Sequence, residues 1–191
     1  NLLGKALVDI GITFSSTASL AYIPTITAWS RQAIFKGDKP DLLEDNTKES
    51  KLFEAYWLNH GVPSYQIDFR KFSVNEHFSM DTISSDITAL GLVYKDLDDI
   101  MHGSILGNDQ LKTSTEQWIE KSNIIQTISD LKSNGFQIYI TSDHGNIEAI
   151  GIKNLTIKEK VGSLSRGKRH LHFANETLLT NFLEINTSLE L

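Results

Sequence analysis

Four short stretches of this 191-residue chain carry residues able to do chemistry. Asp143 and His144 stand together in Thr141-Ser-Asp-His-Gly145. Asp supplies a hard anionic oxygen and His a borderline nitrogen, a mixture that suits zinc, manganese or iron better than calcium. The same residues also compose an ordinary strand-ending turn with an exposed His. Asp98 and His102 lie four residues apart, so on a helix they share a face and reach one ion. With Asp96 and Asp99, Asp98 equally reads as an acid cluster favoured by a helix macrodipole. Thr27 precedes Ala28-Trp-Ser-Arg-Gln-Ala-Ile-Phe-Lys36, a helical run. There, unpaired N–H groups and the positive dipole end favour a phosphate or an alkoxide, although a Thr in that place also serves as an N-cap. His170 and His172 alternate in Arg169-His-Leu-His-Phe173 and share one face if that run is extended.

Such residues need strand tips and helix ends to bring them together. Phe136–Thr141 is short, β-branched and aromatic, bounded by Asn134-Gly135 and Gly145, and reads as a buried strand. Ile87–Tyr94 reads likewise and leads into the Asp98 cluster. Ligands in open α/β sheets bind at the carboxyl ends of strands, where both acid–imidazole pairs then fall. Tyr65–Phe69 alternates as a further strand, while Ile12–Ser15 and Ser19–Pro24 read as extended chain. Helices are expected over Asn1–Ile10, Ala28–Lys36 with Gly37 and Pro40 as its stop, and Lys51–His60 with an aromatic face. A single long helix is expected over Asn108–Ser133 and a capped one over Asn175–Leu183. Asp41–Ser50 is a polar connector, Ser73–Asp86 an irregular stretch with His77 at the surface, Asn146–Ile152 a short helix and Lys153–Arg169 a basic loop. Asp9 falls within the first helical pattern and reads as a surface acid.

A hydrophobic content of 40% is enough for one α/β domain with a sizeable core. The net charge of -6 argues against a wholly basic nucleic-acid module. With no Cys, any metal is left to His, Asp, Glu or hydroxyl oxygens. No apolar run approaches the roughly 20 residues of a membrane helix and no signal peptide opens the chain, which predicts no membrane partner and a soluble, cytoplasmic protein. The chain begins at Asn1 inside a helical pattern, as a fragment of a longer polypeptide would.

Ile23-Pro-Thr-Ile-Thr27 with Ser30-Arg31, Asp98-Asp-Ile-Met-His102-Gly103 and Thr141-Ser-Asp-His-Gly145 together resemble the PglZ domain of the alkaline phosphatase superfamily. They occur in that family's order and span most of the chain. The resemblance implies an α/β three-layer sandwich with a mostly parallel central sheet, residues 1–191 forming one domain truncated at its N-terminus and its C-terminus. It implies a metal-dependent phosphoesterase or phosphodiesterase with Thr27 as nucleophile. One divalent ion, zinc or manganese, would lie on Thr27, Asp143 and His144, and a second on Asp98, His102 and either His170 or His172. Arg31, four residues after Thr27, would grip a phosphate oxygen or form a surface ion pair.

The family's first strand, with an Asp ligand followed by Arg, has no counterpart here, which predicts a gap or an unpaired edge in the sheet. The substrate implied is phosphorylated, with nucleotide and nucleic acid among the candidates. Lys153–Arg169 is basic but lacks the interleaved aromatics of a strand-tracking groove. The partners implied are subunits of a BREX-type phage-defence assembly or of two-component signalling. The alternative is a catalytically impaired interaction module within such an assembly.

Overall fold

Two parallel strands with helices on both faces organise the chain. The computed structural model describes residues 2–23, 25–41, 48–73, 76–103, 107–145, 173 and 175–185, with the side chain of His102 outside that set. Two compact units divide it, Asn1–Glu148 and Ala149–Leu191. In the first unit β1 (Ile67–Phe72) and β2 (Ala89–Tyr94) pair in parallel, in register from Ile67 opposite Ala89 to Phe72 opposite Tyr94. The helices of that unit are α1 (Leu2–Asp9), α2 (Thr27–Lys36), α3 (Glu49–Asn59), α4 (Asp96–Gly103), α5 (Asn108–Lys121) and α6 (Ile124–Ser133).

The period-2 alternation of the strands decides which helix each face meets. Leu90, Leu92 and Tyr94 of β2 and Phe72 of β1 pack with Leu131 of α6. Ile124 and Ile128, on the same stripe of α6, close with Leu7 of α1 around Tyr94, Trp118 and Ile138. The opposite face carries Phe69, whose ring lies 5.1 Å from Phe35 of α2 and 5.6 Å from Phe53 of α3. Phe69 also faces Gly91, its register partner, where an added Cβ would sit 2.7 Å from Phe69 Cδ2. Only glycine leaves room for that ring.

The single helix expected over Asn108–Ser133 is two helices, broken at Ser122 and at Asn123, whose φ of 60° is left-handed. Six residues separate Trp118 from Ile124, a rotation that leaves them roughly 120° apart on an unbroken helix. The break re-phases the chain so that both reach one cluster. Trp118 Nε1 also donates to Asp96 Oδ2 at 3.0 Å, tying the start of α4 to α5.

The expected strand at Phe136–Thr141 keeps its alternation, Phe136 and Ile138 turning inward and Gln137 and Tyr139 outward, yet joins no ladder among the described residues. Tyr139 is 82% exposed. Ile12–Ser15 and Ser19–Ile23 carry no regular structure and are largely exposed. In the second unit α7 (Glu176–Ile185) is capped as expected, Asn175 Oδ1 accepting from Leu178 N at 3.0 Å, and Phe173 packs on Phe182. The short helix expected over 146–152, the basic loop over 153–169, and His170 and His172 lie outside the described residues. Among the described residues no helix is long and apolar enough to cross a membrane.

Candidate active site

Thr27 is the first residue of α2, and Ile26 before it is the extended N-cap, with no side-chain capping bond. The N-cap role open to Thr27 from sequence is therefore taken by Ile26, which leaves the hydroxyl available for another contact. That contact is His144, whose Nε2 lies 3.1 Å from Thr27 Oγ1 across 117 residues of sequence. His144 Nδ1 lies 3.2 Å from the Gly145 carbonyl, which can only accept, so Nδ1 is assigned the proton and Nε2 the lone pair facing Thr27. A second-partner bond of this kind fixes both the tautomer and the plane of a ligating or basic imidazole.

Asp143 is held from its other side. Arg31, one helical turn after Thr27 on α2, donates through Nε to Asp143 Oδ2 at 2.9 Å. Asp143 Oδ1 remains 3.9 Å from His144 Nε2. The Arg31, Asp143 and His144 side chains are only 12%, 18% and 18% exposed, so their interactions are less screened than surface pairs. Arg31 thus enters an ion pair of the kind foreseen as its alternative role, but a largely buried one.

Sequence reasoning missed the far end of this network. Glu49 opens α3 fully buried, with Lys71 Nζ of β1 2.7 Å from Oε2 and Arg31 Nη1 3.7 Å from Oε1. Neither oxygen meets hydrogen-bond geometry despite the short Lys71 distance, so these contacts are ion pairs without directional alignment. The only local signal was an acid in the first turn of a helix, which ordinarily marks a solvated residue favoured by the dipole.

Asp143 and His144 also line a cavity of about 520 Å³ with residues 140–142, Thr17, residues 19–22, and Ser30, Ala33 and Ile34 of α2. Ser30 is 4% exposed and its Oγ has no hydrogen-bond partner among the described residues. Asp98 stands half-buried in the first turn of α4, with His102 on the same helix. Thr27, Arg31, Asp143 and His144 are therefore brought together. Among the described residues no three His, Cys, Asp or Glu side chains gather as a metal-binding group.

The donor set at Thr27 nonetheless has the chemistry of a divalent site: a hydroxyl oxygen, a carboxylate oxygen and an imidazole nitrogen with its lone pair turned inward. Parallel strands flanked by helices define an α/β fold, and polar side chains converge where α2 begins and the 136–141 segment ends. Residues 9–176 match the family model of the BREX system PglZ alkaline phosphatase-like domain, and the chain belongs to that family. No curated protein and no solved structure matches.

Proposed function

We propose that the chain is the phosphoester-cleaving part of a metal-dependent hydrolase, with Thr27 as nucleophile, working within a BREX-type defence or two-component signalling assembly in the cytoplasm. Membership of the alkaline phosphatase-like PglZ family supports the reaction class. The helices on both faces of β1 and β2 support the three-layer sandwich that goes with it. The observation that carries the reading is the 3.1 Å approach of Thr27 Oγ1 to His144 Nε2 with Asp143 alongside.

In this reading Thr27 Oγ gives up its proton to solvent water and attacks phosphorus in line, the P–O bond to the alcohol breaks, and the departing oxygen takes up a proton from solvent water. Water then cleaves the phosphothreonine and restores the hydroxyl. The N-terminus of α2 favours the alkoxide and the phosphoryl charge beside it. Arg31 keeps Asp143 in place and adds positive charge near the substrate. Two divalent cations, zinc or manganese, on Thr27, Asp143 and His144 and on Asp98, His102 and His170 or His172 would supply the charge that acidifies a hydroxyl and neutralises phosphoryl oxygens.

The experiment is metal analysis of the full-length protein with a generic phosphodiester assay on wild type and Thr27→Ala. Turnover by wild type that disappears in Thr27→Ala, with metal partly retained, supports the reading. Undiminished turnover in the variant removes the nucleophile assignment. An interaction module is the second reading, favoured by the apolar side chains of Leu20 and Ile140, 99% and 57% exposed at the cavity. Absence of both metal and hydrolysis with any divalent ion supports that reading instead.

A further inference from the structure

We propose that Glu49 is a positioning residue for the site: its buried carboxylate holds Arg31 against Asp143 and so fixes the Asp143-His144 turn beside Thr27. A fully buried carboxylate is expensive unless it is paired, and a well-packed apolar residue would serve stability as well or better. Its presence therefore calls for a reason beyond packing. Its two oxygens face different cations, Lys71 Nζ at 2.7 Å and Arg31 Nη1 at 3.7 Å. Arg31 in turn lies between two acids, with Nη1 in a looser ion pair with Glu49 and Nε donating to Asp143 at 2.9 Å. A guanidinium is a planar fork, so an acid drawing Nη1 to one side biases the direction in which Nε is presented to Asp143.

Charge makes the same point. Glu49 and Asp143 balance Arg31 and Lys71, leaving the group neutral as it stands. Without Glu49, the largely buried Arg31 would have lost the acid beside its Nη1, and a divalent ion approaching Asp143 would meet less compensated positive charge. With Glu49 in place, Arg31 has a second anion to stay with, and Asp143 keeps Oδ1 turned toward His144. The three elements concerned, α2, α3 and β1, are joined by the Phe35, Phe53 and Phe69 rings, with Lys71 Nζ 6.0 Å from the Phe69 ring centroid. The 141–145 segment has no ladder among the described residues, so this network, together with the Thr27–His144 contact, ties it to that framework. What the fixed turn is for rests on the hydrolase reading, whereas the fixing itself does not.

The test uses the full-length protein with Glu49→Gln, alone and in an Arg31→Met background. Mn²⁺ affinity is measured by calorimetry, and amide hydrogen exchange is measured without metal. Glu49→Gln is expected to weaken Mn²⁺ binding about tenfold or more, the effect usual for an outer partner of a ligand. It should also speed exchange at 141–145 while leaving α6 protected, and add nothing once Arg31 is absent. Unchanged affinity and exchange overturn the proposal, as does an effect of equal size in the Arg31→Met background or a loss spread evenly into α6 and β2. Should Glu49→Gln not fold, Glu49→Asp, which keeps the charge but withdraws it by one methylene, is held to the same outcomes. A wild-type protein that binds no Mn²⁺ and shows no turnover counts against the hydrolase reading, and the exchange measurement then decides the role of Glu49 by itself.

Discussion

Thr27 Oγ1 and His144 Nε2 stand 3.1 Å apart although 117 residues separate them in sequence. If they act as one unit, their removal should not be additive. Thr27→Ala and His144→Ala are each expected to lower kcat on a phosphodiester by at least about 10³-fold, with the double variant no worse than the poorer single one. Thr27→Ser should retain measurable turnover because it keeps the hydroxyl. Additive losses would show that the two residues do not share a step.

Arg31 bridges Asp143 and a fully buried Glu49. Arg31→Met leaves both acids short of a cation, with Lys71 still beside Glu49. The expected cost is about 3 kcal/mol, the lower end for breaking a buried pair. Arg31→Lys should recover little of it, since an ammonium cannot span two carboxylates as a fork does. Urea midpoints of the three proteins check the order.

Gly91 is the one position of β2 where the Phe69 ring occupies the space of a side chain. Gly91→Ala would place a methyl against Phe69 Cδ2 and near Phe53, and should destabilise by about 1–3 kcal/mol. The pairing of Gly91→Ala with Phe69→Leu should recover part of the loss. Thermal denaturation of the single and double variants would reveal it, and a Gly91→Ala protein as stable as wild type would contradict the close approach.

Burial raises the Tyr94 phenol above its ordinary value of 10.0; a nearby Thr127 hydroxyl works against the rise and the Asp96 charge adds to it. The Thr127 contact is a partial one, since neither hydroxyl meets hydrogen-bond geometry. The unfolded phenol ionises first, so the folded state binds more protons at alkaline pH. The contribution to stability is therefore complete below pH ~10 and is lost as pH rises through the folded value. Tyr94→Phe should flatten the alkaline fall in urea midpoint, and a parent protein whose midpoint does not fall there would show the phenol to be unshifted.

Much of the local structure was legible because it depends on neighbours in sequence. The Gly37 stop of α2, the Asn175 cap of α7 and the apolar run of β2 all express hydrogen bonding and strand or helix preference within a few residues. The break at Asn123 was not legible, because it answers to Trp118 and Ile124 meeting a shared cluster.

The candidate site divides along the same line. Sequence by itself determined that a hydroxyl, an acid and an imidazole of the right types were present and that each stood where a helix or an extended run ends, because those are local properties of Thr27, Asp143 and His144. Tertiary structure alone decided that Thr27 faces His144, that Arg31 faces Asp143 and that Glu49 is buried rather than solvated. An acid on the first turn of a helix looks the same in sequence whether water or two cations surround it, and only the packing of α2 and α3 against β1 excludes the water.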